Sequence, residues 1–141
     1  MATVEREVPL LPGGDAVEIP VLRCDGGHWR LNGSRCPRCG KSWYPPRHLC
    51  PDDLAECETV ALSDHGVVHA ATLVRRAPVG FDGEFRIAYV DLPEGVRVLA
   101  RLEWGGDAEP RGGDEVEFEA GQVRAEPPVL GPCFRGPVTR H

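Results

Sequence analysis

The sequence predicts a mainly β protein: a rubredoxin-like zinc ribbon followed by a five-stranded barrel of OB type. Three observations predict it. The first is Cys36-Pro37-Arg38-Cys39-Gly40, with Cys50-Pro51 behind it. A CxxC followed by Gly bends the backbone so that two thiolates point at one place, as one half of a zinc ribbon does. The second is composition: 17 Gly and 14 Pro, against 3 Trp, 2 Tyr and 4 Phe in 141 residues. That balance suits short strands joined by many turns and disfavours long helices. The third is alternation late in the chain. Val96, Val98, Ala100, Leu102 and Trp104 interleave with Arg97, Leu99, Arg101 and Glu103, the pattern of a half-buried strand with one inner face.

Taken in order, residues 1–22 carry Pro9, Pro12, Gly13, Gly14 and Pro20 and show no helical or strand period, so they read as an extended arm. Residues 23–57 read as the ribbon, with Trp29 and Leu31 packing on it. Trp43-Tyr44-Pro45-Pro46-Arg47 lies between the two thiol-bearing loops, where two prolines make a strand end or a stiff turn. Residues 58–135 read as the barrel. Its strands are expected over Glu58–Ser63, Val67–Val74, Phe85–Leu92, the Val96–Trp104 run, Glu115–Ala120 and Val129–Phe134. Gly66 interrupts the first two, suggesting a bulge that lets one long strand bend across two sheets. Residues 136–141 read as a tail.

The ribbon's ligands are three thiolates and an open fourth place. Cys36, Cys39 and Cys50 are well spaced, but where a regular ribbon has its fourth Cys this chain has Asp53, and Cys57 lies four residues further on. A structural zinc takes four ligands and prefers sulfur, which favours Cys57. Asp53 sits at the turn position that faces the other three, and a carboxylate oxygen is an acceptable ligand. The competing reading is a ribbon that has lost its metal and holds together by packing. His48, two residues before Cys50, shares a face with it if the segment is extended, but the ligand turn itself begins at Cys50. Cys24 has no CxxC partner and reads as a spare thiol; Cys133, beside Phe134, reads as a small core residue.

Several function classes are set aside on composition. The start shows no apolar run behind a basic end, and no stretch reaches the roughly 18 apolar residues of a membrane span, so neither a signal peptide nor a membrane partner is expected. With no export signal, the six Cys read as metal ligands and buried thiols, which places the protein in the cytoplasm. The net charge of -6 is unevenly spread. Arg23, Arg30, Arg35, Arg38, Lys41 and Arg47 face one acid, Asp25, across the ribbon, whereas acids dominate from Asp91 to Ala120. A basic ribbon on an acidic body suggests an anionic ligand or partner near the ribbon, set against the plainer reading of solvated faces. No GxSxG, HExxH or Cys/His motif supplies a catalytic set, and His69, within a strand, reads as a packed or surface residue.

Three segments together resemble a known family. They are Gly33-Ser34-Arg35-Cys36-Pro37-Arg38-Cys39-Gly40, Tyr44-Pro45-Pro46-Arg47 with Cys50-Pro51, and Tyr89-Val90-Asp91-Leu92-Pro93-Glu94-Gly95-Val96-Arg97-Val98. Over roughly residues 30–120 the chain is similar to the zinc-ribbon/OB-fold proteins encoded beside thiolases. The resemblance implies a non-catalytic accessory subunit of a thiolase, acyltransferase, aldolase or related acyl-CoA enzyme. It implies that the OB domain binds the CoA side of the substrate or seals the partner's active site. Asp53 departs from the family pattern, which puts the metal in question and leaves the fold intact. On this reading Arg35, Arg38, Lys41 and Arg47 are candidates for the CoA phosphates, with Arg97 and Arg101 on the outer face of a strand, because an Arg fork makes paired hydrogen bonds to phosphate.

The expected protein thus works in a hetero-oligomer with a thiolase-like enzyme that holds the nucleophile. Phe134, Arg135 and the N-terminal arm are the residues expected to touch that partner, since Phe and Arg are enriched at interfaces. The alternative is a ribbon/OB module for single-stranded nucleic acid. The acidic balance of the barrel has the wrong sign for phosphate, and Phe85, Tyr89, Trp104 and Phe118 mostly alternate like core residues, which speaks against it. An iron-loaded electron carrier would need Cys at all four positions, and Asp53 argues against that.

Overall fold

Short alternating segments punctuated by Gly and Pro favour strands, and strands are the elements that form among the described residues. The computed structural model describes residues 19–75, 83–125 and 128–138. Among them are eleven β-strands: β1 (Leu22–Asp25), β2 (His28–Arg35), β3 (Ser42–Trp43), β4 (Glu58–Ala61), β5 (His65–Val74), β6 (Phe85–Asp91), β7 (Arg97–Trp104), β8 (Glu115–Phe118), β9 (Gly121–Ala125), β10 (Pro128–Gly131) and β11 (Cys133–Gly136). None of the described residues forms a helix long and apolar enough to cross a membrane.

The ribbon is organised on β2, which pairs antiparallel with β1, β3 and β4 in turn. The barrel closes in the order β11-β7-β6-β5-β8, with β11 parallel to β7 and the other pairs antiparallel. The stretch Glu58–Ser63, read from sequence as part of the barrel, ends as β4 and hydrogen-bonds to β2 of the ribbon, Asn32 to Arg35 facing Ala61 to Glu58. The expected bend across two sheets does not form: β5 pairs with β8 through His65–Val67 and with β6 through Val67–Val74, both strands of the one closed barrel. The register irregularity lies between Val68 and Ala70, beyond Gly66. Gly66 answers a different demand: a Cβ there would sit 2.6 Å from the Asp91 carbonyl oxygen. The last expected strand divides into β10 and β11 around Pro132, which has no N–H to continue a ladder. β10 forms a hairpin with β9, a strand the sequence pattern did not reveal.

Ribbon and barrel share one core. Leu22, Leu31 and Leu62 are continuous with Val68, Val90, Val98, Leu102, Val116 and Phe134. Leu62 lies between β4 and β5 and is fully buried; its N–H donates to the Leu31 carbonyl at 2.9 Å and its carbonyl accepts from Arg30 Nη2 at 2.7 Å. Trp29 packs against this core, and Leu31 is inside it. Ser63 clasps the turn after β6, its N–H and Oγ both bonding Glu94 Oε2 at 2.8 and 2.9 Å.

Two expectations need correction. Phe134 is fully buried and meets Phe118 edge to face, ring centroids 5.6 Å apart, so it fills the barrel and cannot touch a partner. Its strand closes the barrel between β7 and β8, leaving only Arg135 exposed. Tyr89, grouped with core aromatics, points outward and is 46% exposed. Of the arm expected over 1–22, residues 1–18 lie outside the described residues, while Val21 packs on the core and Leu22 is buried in it. Of the tail, residues 139–141 lie outside them, and the Val138 N–H donates to the Glu115 carbonyl at 3.0 Å.

Candidate metal centre

Two turns of the same construction face each other. In the first, the Cys36 N–H donates to the Lys41 carbonyl at 2.9 Å and the Gly40 N–H donates back to the Cys36 carbonyl at 2.8 Å. In the second, the Cys50 N–H donates to the Ala55 carbonyl and the Leu54 N–H to the Cys50 carbonyl, both at 2.8 Å. The fifth residue of each turn is left-handed, Gly40 with φ 79° and Leu54 with φ 63°. Glycine suits that conformation and leucine does not. The fourth residue is Cys39 in one turn and Asp53 in the other, so Asp53 stands where the repeat of the turn would put a second Cys.

Cys36, Cys39, Cys50 and Asp53 bring their ligand atoms within 4.8 Å of one another. Cys39 Sγ is 3.8 Å from Cys50 Sγ, and Cys36 Sγ lies 3.6 and 3.5 Å from the two Asp53 oxygens. A tetrahedral zinc with bonds of about 2.3 Å to sulfur and about 2.0 Å to oxygen needs edges of about 3.8 Å and about 3.5 Å. The Cys39–Cys50 and Cys36–Asp53 separations match those edges, and the four side chains are a set that could hold such an ion.

The backbone prepares the charges. The Lys41 N–H beside the Cys39 sulfur holds that thiol below its ordinary value. The Ala55 N–H, 2.9 Å from Asp53 Oδ1, does the same for the carboxyl. Burial pushes the Cys50 thiol up to about 11, so an incoming cation must displace its proton.

Cys57, favoured from sequence because zinc prefers sulfur, stands outside this group. The chain after Ala55 turns back along the preceding segment: Leu49 bridges Glu56, and the Cys57 N–H donates to the His48 carbonyl at 2.8 Å. Backbone geometry thus outweighs ligand softness. His48 is exposed and also outside the group, as are Cys24 and the buried Cys133.

The six candidate cations divide into two sets. On the ribbon, Arg35 and Arg38 are exposed, Lys41 is paired with Asp52 at 2.6 Å, and the Arg47 guanidinium lies 5.5 Å from the centre of the Trp43 ring. On the barrel, Arg97 is bound by Asp91, Nε to Oδ1 at 2.7 Å, and Arg101 lies over the Phe85 ring at 4.5 Å. The sequence offers all six as candidates; only the fold shows that Lys41, Arg47, Arg97 and Arg101 each meet a group of their own chain.

The comparisons with known proteins agree with this architecture. The family of the ChsH2 C-terminal OB-fold domain matches residues 59–120. A benzoylsuccinyl-CoA thiolase subunit BbsA of Thauera aromatica is 35% identical over 111 residues, 78% of this chain and 74% of that one. A DUF35 domain-containing scaffold protein of Methanothermobacter thermautotrophicus is 30% identical over 105 residues, 70% of this chain and 77% of the relative. Among solved structures, a chain of the Ltp2-ChsH2(DUF35) aldolase superimposes with a TM-score of 0.65 at 26% identity, covering 77% of this chain and 86% of that one. With a ribbon, a closed OB barrel and relatives matched over more than two thirds of their length, this chain belongs to the DUF35 family of ribbon and OB-fold proteins.

Proposed function

We propose that this chain is a non-catalytic accessory subunit of an acyl-CoA enzyme of thiolase, acyltransferase or aldolase type, and that it binds or shields the CoA part of the substrate. The observation that carries the reading is the match over 74% of a relative named as a thiolase subunit, joined by a structural neighbour from an aldolase assembly. The partner supplies the nucleophile, and the complex acts in the cytoplasm, where the thiols stay reduced.

Zinc is the ion proposed for Cys36, Cys39, Cys50 and Asp53, where it ties the two turns together and supplies no chemistry to the substrate. The CoA phosphates are assigned to the ribbon, to Arg35, Arg38, Lys41 and Arg47. Arg97 and Arg101 are the further candidates on the barrel, held by Asp91 and Phe85 much as Lys41 and Arg47 are held by Asp52 and Trp43. Calorimetric titration of CoA into the assembled complex tests this. Replacing the four ribbon cations together by Gln should weaken binding by about 10-fold or more, the scale of one or two charge-assisted hydrogen bonds. Unchanged affinity would remove the ribbon as the phosphate contact. Separate elution of this chain from every thiolase-type acyl-CoA enzyme co-expressed with it, with each enzyme fully active alone, would remove the accessory role.

A further inference from the structure

We propose that the outer face of β5, β6 and β7 is the surface on which the enzyme subunit docks, a protein partner whose contact area is apolar at its centre and carries no net charge. The proposal rests on the accessory-subunit reading and adds where the partner sits.

The outward positions of a solvated barrel strand are ordinarily polar. Here Ala70, Tyr89 and Leu99 are direct cross-strand neighbours, and the next row is Thr72, Ile87 and Arg101. Tyr89 is 46% exposed, Leu99 50% and Val67 39%; among the described residues these are three of five large apolar side chains left open, and all three lie on this face. A shallow apolar depression of about 180 Å³ runs between Ala70, Thr72, Ile87, Tyr89 and Leu99. In OB folds the face of the second and third strands is the one that takes ligands, and β6 and β7 are the second and third strands of this barrel.

Charge decides the kind of partner. At one end of the apolar rows, Asp91 accepts from Arg97 Nε at 2.7 Å and Nη2 at 3.2 Å, and the same Nη2 lies 3.2 Å from His69 Nδ1. At the other end, Arg101 lies over Phe85, with Glu103 at 4.0 Å. Each cation meets an acid of its own chain, so a polyanion would have to displace Asp91 from Arg97 before binding. A neutral apolar protein surface can cover the face with these pairs intact, as the polar rim of an interface does. The far side of the barrel differs: Glu117 and Glu119 share Arg135 and stay solvated. Tyr89 at the centre is the residue type on which binding energy concentrates, since a buried tyrosine gives large contact area for little lost freedom.

The test is co-expression of the full chain with each thiolase-type acyl-CoA enzyme of its source organism. Wild type, Tyr89→Glu, Leu99→Glu, the double variant and the far-face control Glu117→Gln are compared by size exclusion and calorimetry. Thermal melts verify that the variants fold. Each single change should weaken the complex by about 30-fold, a hot-spot loss, the double variant should not co-elute, and the control should behave as wild type. Amide exchange on unmutated protein gives an independent reading: β6 and β7 should be protected in the complex. Co-elution of wild type with variants of undiminished affinity, or with unchanged exchange in β6 and β7, would overturn this face and leave the accessory role standing. Separate elution of wild type would overturn both. Tyr89-dependent dimerisation of this chain, or Tyr89-dependent retention of oligothymidylate at low salt, would assign the face to another occupant and overturn the proposal.

Discussion

Replacing Asp53 by Ala removes one corner of the metal centre, and the structure says which corner and what remains. Cys36 loses the carboxylate 3.5 Å away, while the Cys39–Cys50 pair at 3.8 Å is untouched. Structural zinc sites release on the order of 12 kcal/mol with four ligands, so one ligand carries about 3 kcal/mol, or about two orders of magnitude in affinity. A carboxylate binds zinc less strongly than a thiolate does, which makes about 100-fold the upper end for Asp53→Ala. Cys57→Ser should change affinity by no more than about threefold, because its sulfur lies outside the group of ligand atoms that Cys36, Cys39, Cys50 and Asp53 form among the described residues. Competition with a chromophoric chelator measures both. Cobalt substitution supplies a second reading, since sulfur-to-metal charge transfer grows with the number of thiolates. Asp53→Cys should raise that band by about one third, the ratio of four thiolates to three. Release of the metal by Cys57→Ser, with retention in Asp53→Ala, would refute the reasoning and move the ligand to Cys57.

Leu54→Gly should stabilise the protein by about 1 kcal/mol, because leucine at φ 63° is strained and its side chain, 72% exposed, gives up little packing. That corresponds to a rise of about 3 °C in a thermal melt. Metal affinity should fall as pH falls, because binding must expel the Cys50 proton and acid restores it; a zinc-sensitive dye read from about pH 8 down to about pH 5 follows the release. In the metal-free protein the slope reverses: burial raises the Cys50 thiol to about 11, so its contribution is present below the ordinary thiol value and is lost as pH rises from there through about 11. Leu62→Ala should cost about 2–5 kcal/mol, and denaturant unfolding should show ribbon and barrel melting together, since Leu62 belongs to the core that both share.

Much of this protein was legible along the chain. The CxxC turn is local chemistry, readable because proline and glycine at set offsets admit few backbone paths. The barrel strands showed through Val96, Val98, Ala100 and Leu102, because a period of two survives wherever one face is buried. Other features needed the folded chain. Asp53 became the fourth corner through a repeat of backbone hydrogen bonds that no side-chain preference announces. Phe134 went inside and Tyr89 outside, although both are aromatic, because β11 closes the barrel while Tyr89 occupies the outward phase of β6. That Arg97 meets Asp91 and Arg101 meets Phe85 likewise shows only in the folded chain. Sequence determined which residues could bend, pair or bind, since those are properties of single residues and short spacings. Which of them meet was decided by strand register and barrel closure, which join residues far apart in the chain.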